Sequence, residues 1–241
     1  MSLLLRALLV VLASVALAHA DTPVPASAMS AQLVKTGLYL IEGGGSNTLV
    51  RFSASGLIIV DGKAPGMYRE LMSQVRKLNR LSDLRVRVLI LTSADEDRSG
   101  NLARFAAAGT PIAVQENAKR DLERNLNGEA RAPSFVTYER EYSIRMGGVE
   151  ARVLHVSPAD GDGNSVVYFP NLKVVALGNL YRPVPAMDTA SPGLNDWAKA
   201  LAGVLELDFD LAVPSHGASV TRADVVALKA KIERLAADQP K

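Results

Sequence analysis

Side chains able to do chemistry are few in this chain of 241 residues and unevenly placed. There are three histidines, His19, His155 and His216, and no cysteine. Carboxylates gather instead. Asp95 and Asp97 stand in Thr92-Ser93-Ala94-Asp95-Glu96-Asp97-Arg98-Ser99-Gly100-Asn101, and Asp160, Asp162 and Asn164 alternate with glycines. Imidazole and thiolate are the staple ligands of zinc, whereas carboxylates suit hard cations such as Mg, Mn or Ca. The Asp160-x-Asp162-x-Asn164 spacing opens like a calcium loop, but Ser165 and Asn171 replace the glycine and glutamate such a loop needs. Ser215 and His216 are neighbours in sequence, which does not make them a nucleophile and its base. No G-x-S-x-G elbow and no phosphate-binding glycine loop is present.

Most of these residues sit where strands end. Residues 33–41 alternate as a strand and stop at Glu42-Gly43-Gly44-Gly45, and residues 48–53 and 57–60 form a hairpin around Ala54-Ser55-Gly56. From Pro65 the period becomes helical, with Tyr68, Leu71, Met72, Val75 and Leu78 on one face. Residues 86–91 are apolar except for Arg87, and a strand buried on both faces is expected there. Residues 92–101 are expected as a polar loop, followed by a short alanine-rich helix, a strand at 112–114 and a helix at 116–126. Strands are then expected at 136–144, 149–155, 166–169 and 174–177, a helix at 196–205 and a strand at 211–213. Thr221 with Asp224 predicts a capping box opening a last helix, with Val225, Leu228, Ile232 and Leu235 on its apolar face. Two groups of strands, each ending in a helix, predict an α/β fold of two sheets packed face to face with helices outside.

The run Gly44-Gly45-Ser46-Asn47-Thr48-Leu49-Val50, followed by Leu57-Ile58-Ile59-Val60-Asp61, resembles the opening strands of the metallo-β-lactamase-fold hydrolases. Residues 92–101 align with that family's T-H-x-H-x-D-H-x-G-G/N motif, with Ser93 and Asp95 at the first two histidines, Asp97 at the aspartate and Arg98 at the third histidine. Pro158-Ala159-Asp160 aligns with P-A-H, Gly178-Asn179-Leu180 with G-D-L, and Pro214-Ser215-His216-Gly217 with P-G-H-G. The resemblance spans roughly residues 33–236 and implies a four-layer αββα sandwich. It further implies a vestigial pocket of Ser93, Asp95, Asp97, Arg98, Asp160, Asn179 and His216, supported from behind by Asp61.

The resemblance implies two zinc ions in intact members, and these substitutions remove most of their ligands. Serine is a poor zinc ligand, a guanidinium has no lone pair to offer, and Asn179 removes the bridging charge. A zinc pair is therefore not expected. The expected protein is a non-catalytic one that binds a small molecule or protein partner, without a cofactor. The alternative is a divergent hydrolase holding one Mg, Mn or Ca ion on Asp95, Asp97, Asp160 and His216. Arg98 has two readings as well: a counter-ion among the aspartates, or a residue facing solvent. His155, five positions before the Asp160 motif position, is expected to be structural.

Residues 1–20 have the form of a secretory signal: Arg6, an apolar run shorter than a membrane span, and Ala18-His19-Ala20 before Asp21. Residues 21–32 are expected as a leader linker and 33–241 as one domain, exported to the periplasm or beyond. Losing Arg6 from 27 basic residues leaves 26 against 25 acidic ones, with no basic stripe for nucleic acid and no membrane span expected in the mature chain.

Overall fold

Alternation along the strands decides the layers. In the computed structural model, which describes residues 29–79, 84–125, 133–156, 162–182 and 193–238, thirteen strands form two sheets. The first contains β1 (Ser30–Lys35), β2 (Leu38–Glu42), β3 (Thr48–Ser53), β4 (Gly56–Val60), β5 (Val86–Ile90), β6 (Ile112–Gln115) and β7 (Phe135–Tyr138), in sequence order. Its first four strands are an antiparallel meander and β4 to β7 run parallel. The second contains β8 (Glu141–Met146), β9 (Val149–His155), β10 (Ser165–Phe169), β11 (Val174–Gly178), β12 (Leu211–Pro214) and β13 (Val220–Thr221), with only β11 and β12 parallel.

On β4, Ile58 and Val60 turn towards the second sheet while Leu57 and Ile59 turn outwards. On β10, Val167 and Phe169 turn inwards while Val166 and Tyr168 turn outwards. Each strand therefore contributes to two cores, as its unbroken apolar sequence requires. Outside the first sheet lie α1 (Tyr68–Leu78), α3 (Leu102–Ala107) and α4 (Glu116–Asn125), while the single turn α2 (Glu96–Ser99) follows the end of β5. Outside the second lie α5 (Leu194–Leu205) and α6 (Arg222–Ala237). The result is the four-layer αββα sandwich. Thr221 and Asp224 make the reciprocal capping box of α6, and Val225, Leu228 and Ile232 are buried beneath it.

Four expectations change. Residues 33–41 are not one strand: they belong to β1 and β2, which pair antiparallel about the turn at Thr36 and Gly37. Residues 136–144 are not one strand: β7 pairs with β6 in the first sheet, β8 pairs with β9 in the second, and the chain changes layer at Glu139 and Arg140. Alternation continues across that point, so periodicity alone cannot reveal the crossing. The polar run at 92–101 contains α2, a single turn whose closing residue Gly100 lies so close to Pro65 that a Cβ would fall 2.4 Å from its nitrogen. The leader linker ends early, because Ser30 already pairs with Glu42. The expected signal segment lies outside the described residues, and no described helix is long and apolar enough to cross a membrane.

Gly203 is an exception within α5. It has no left-handed φ, and a Cβ built there meets nothing within 4 Å. Gly203→Ala is therefore expected to raise stability by about 0.5–1 kcal/mol, measured by urea denaturation, by removing unfolded-chain entropy at no steric cost.

Candidate functional site

Strand β5 delivers the chain to a turn built on Asp61, the residue after β4. One Asp61 oxygen accepts the Thr92 backbone N–H and the other the Thr92 hydroxyl, both at 2.8 Å. That pair fixes where the chain leaves β5. The Asp95 carbonyl then accepts the N–H groups of Arg98 and Ser99, closing α2. One helical turn thus carries Arg98 inwards, where it is 1% exposed.

The guanidinium is held on several sides. Its Nη1 donates to the Ser93 hydroxyl at 2.6 Å and to the Asp95 carboxylate, and its Nη2 donates to the Asn179 side-chain oxygen. Asn179 in turn donates to Asp95 at 2.8 Å. The Arg98 Nε lies 3.9 Å from Asp61, an ion pair without a hydrogen bond. Beside this cluster, His216 Nε2 lies 2.9 Å from the Asp97 carboxylate, with Asp97 half-buried and His216 exposed. The structure therefore brings Ser93, Asp95, Arg98 and Asn179 together, joins Asp97 to His216, and sets Asp61 behind them. Asp160 lies outside the described residues. A solvent-facing Arg98 is not the arrangement found.

Ser46 and Asn47 clamp the two halves of the Asp97–His216 pair. Ser46 donates through its N–H and its hydroxyl to the Asp97 carbonyl, at 3.3 and 3.0 Å. The Asn47 amide donates to the Pro214 and Gly217 carbonyls, each at 2.9 Å, on either side of Ser215 and His216. Lys63 is fully buried, and its ammonium donates to the Ile41 and Ser46 carbonyls at 2.7 and 2.6 Å. Asn101 completes the support by donating to the carbonyls of Gly62 and Ala64, both at 2.8 Å. Sequence reasoning assigned no role to Lys63, Asn47, Ser46 or Asn101. The available signal was a lysine following Val60-Asp61-Gly62, where an apolar strand runs directly into charge.

Burial dominates the electrostatics. It pushes Asp61 up to about 6, although the Arg98 charge and the Thr92 hydrogen bonds pull the other way. Burial likewise brings Lys63 down to about 8, opposed by the charges of Asp61, Glu42 and Asp97. Burial also raises Asp97, but the His216 hydrogen bond and the Arg98 and His216 charges outweigh it, leaving Asp97 below the ordinary carboxylate range. Among the described residues no group of three or more His, Cys, Asp or Glu side chains is placed to hold a metal ion. Asp162 is exposed while Asn164 is buried at the start of β10. His155 Nδ1 lies 2.9 Å from the Asn164 carbonyl.

Solved structures align with nearly the whole sandwich. A metallo-β-lactamase from Pontibacter korlensis matches with a TM-score of 0.73 and 18% identity, over 85% of this chain and 99% of its own. The DIM-1 metallo-β-lactamase gives 0.73 and 18%, over 87% and 99%. The FIM-1 enzyme from Pseudomonas aeruginosa, in its mono-zinc form, gives 0.70 and 20%, over 88% and 97%. The chain has the metallo-β-lactamase fold.

On the metallo-β-lactamase fold the three described motif stretches fall after β5, β11 and β12, so loops from both sheets meet at one edge of the sandwich. No family model matches the chain. One curated relative, subunit alpha of 2,4-dinitroanisole O-demethylase from Nocardioides sp. (strain JS1661), is 25% identical over 191 residues. That match takes in 78% of this chain and 57% of the relative, so the chain spans little more than half of that protein's length.

Proposed function

We propose that this is an exported metallo-β-lactamase-fold protein whose two-metal chemistry is lost, and whose rim pocket binds a small molecule or protein partner without hydrolysing it. One observation carries the reading: the buried Arg98 guanidinium bonded to Ser93, Asp95 and Asn179. A guanidinium keeps its proton in any protein and has no lone pair, so it repels a cation and takes up the volume a cation would need. One Asp95 oxygen already accepts from both Arg98 and Asn179. These residues do not fit a zinc pair. Export rests on the form of residues 1–20. A protein partner gains support from the curated relative, which is itself named as a subunit.

The test is elemental analysis of protein made in zinc-supplemented medium and purified without chelator. Less than about a tenth of a zinc ion per chain is expected, since neither thiolate nor a histidine cluster is present. One or more zinc ions per chain, lost in His216→Ala, would sink the proposal. Stoichiometric Mn²⁺ or Mg²⁺ uptake abolished by Asp97→Asn would instead favour the single-cation hydrolase.

A further inference from the structure

A groove on the outer side of the second sheet shares no residue with the Arg98 site. It lies between β9, β10 and α5 and has a volume of about 310 Å³, within the range of small-ligand pockets. Leu154, Val156 and Val166 form its sheet wall, and Val204 and Leu207 its helical wall. Gly203 holds it open. A glycine inside a helix costs stability, and this one serves neither a left-handed turn nor a close approach. What it supplies is room.

Two polar residues also line the groove, Lys199 and His155. A carbonyl oxygen can only accept, so the 2.9 Å contact with Asn164 places a hydrogen on His155 Nδ1 and, in the neutral ring, leaves Nε2 as an acceptor. Among the described residues, Lys199 pairs with Asp196 at 3.3 Å, with 75% and 48% of the two side chains exposed. Such a surface pair contributes little, so the ammonium can be redirected at small cost. Among the described residues, no acidic side chain lines the groove.

We propose that this groove binds a small apolar monocarboxylate, about the size of benzoate. Its hydrocarbon body lies between the sheet wall and Val204, and its carboxylate meets Lys199. Apolar walls alone would take any ring of that size; the lone cation selects the anion.

The probe is sodium benzoate titrated into the isotope-labelled full chain, followed by amide chemical shifts. Benzylamine (same ring, opposite charge) and acetate (same charge, no ring) serve as controls. Benzoate is expected to shift the amides of residues 154–156 and 199–207 and to saturate at about millimolar concentration, while both controls leave them in place. Gly203→Leu fills the groove and should abolish the response without lowering the melting temperature. Lys199→Gln should weaken binding about tenfold with an unchanged melt. The proposal fails if benzoate gives no shifts, if benzylamine reproduces them, or if they persist in Gly203→Leu.

Discussion

Replacing Arg98 with alanine is expected to cost the fold about 3–5 kcal/mol near neutral pH, the range for breaking a buried ion pair from one side. The substitution strips Ser93, Asp95 and Asn179 of a common donor and leaves Asp61 without its nearest cation. The pH dependence identifies the cause. Folding raises Asp61 from its ordinary 3.8 to about 6, so its favourable contribution is whole below about pH 4 and is lost as pH climbs through 6. Arg98 holds that value down, so in the variant the loss extends to higher pH. The gap between variant and wild type should therefore be narrower at about pH 4.5 than at about pH 7. Arg98→Lys should fall between them, because a point charge cannot reach three acceptors as a planar fork does. Urea denaturation curves of Arg98→Ala that overlay wild type across that range would rule out the counter-ion role.

Lys63→Met is the second large effect. Removing a fully buried ammonium relieves the cost of keeping a charge from water, but it orphans the Ile41 and Ser46 carbonyls. A buried acceptor without a partner costs about 1–3 kcal/mol, so a net loss of about 2–4 kcal/mol is expected at pH 7. Here the sign is opposite to that of Asp61. Folding lowers Lys63 from 10.5 to about 8, so the unfolded chain holds the proton more tightly and this group adds stability as pH rises from 8 to 10.5. Wild type should therefore gain on Lys63→Met across that interval. A gap that stays flat between about pH 8 and 10 would mean that Lys63 titrates as an ordinary exposed lysine, and one that shrinks would mean that folding raises it.

Hydrophobic periodicity was enough to place most strands, because buried β4, β5, β10 and β11 are nearly unbroken apolar runs bounded by polar residues, glycine or proline. It was blind to the change of layer at Glu139 and Arg140, where alternation runs on while the pairing partner changes. The cluster of Ser93, Asp95, Arg98 and Asn179 could be anticipated only by matching motif positions, since Arg98 and Asn179 are 81 positions apart. Whether Arg98 pointed inwards was open until the α2 turn was seen, because a single helical turn leaves almost no periodic signal. Lys63 was the opposite case: its sequence neighbours marked a strand end, but its partners are backbone carbonyls, which no side-chain pattern reports.

Every strand of the first sheet precedes Glu139 and every strand of the second follows Arg140, so each half of the chain owns one sheet and the helices over its outer face. Contacts within a half are comparatively near in sequence and can form while the halves are still apart. The links from Arg98 and Asp95 to Asn179, and from Asp97 to His216, close only when the two faces dock. They are expected to act as a latch fastened late, absent from the barrier to folding and present in the barrier to coming apart. Loosening that latch should shorten the lifetime of the native molecule and leave its rate of formation nearly untouched, so that its contribution is endurance rather than speed.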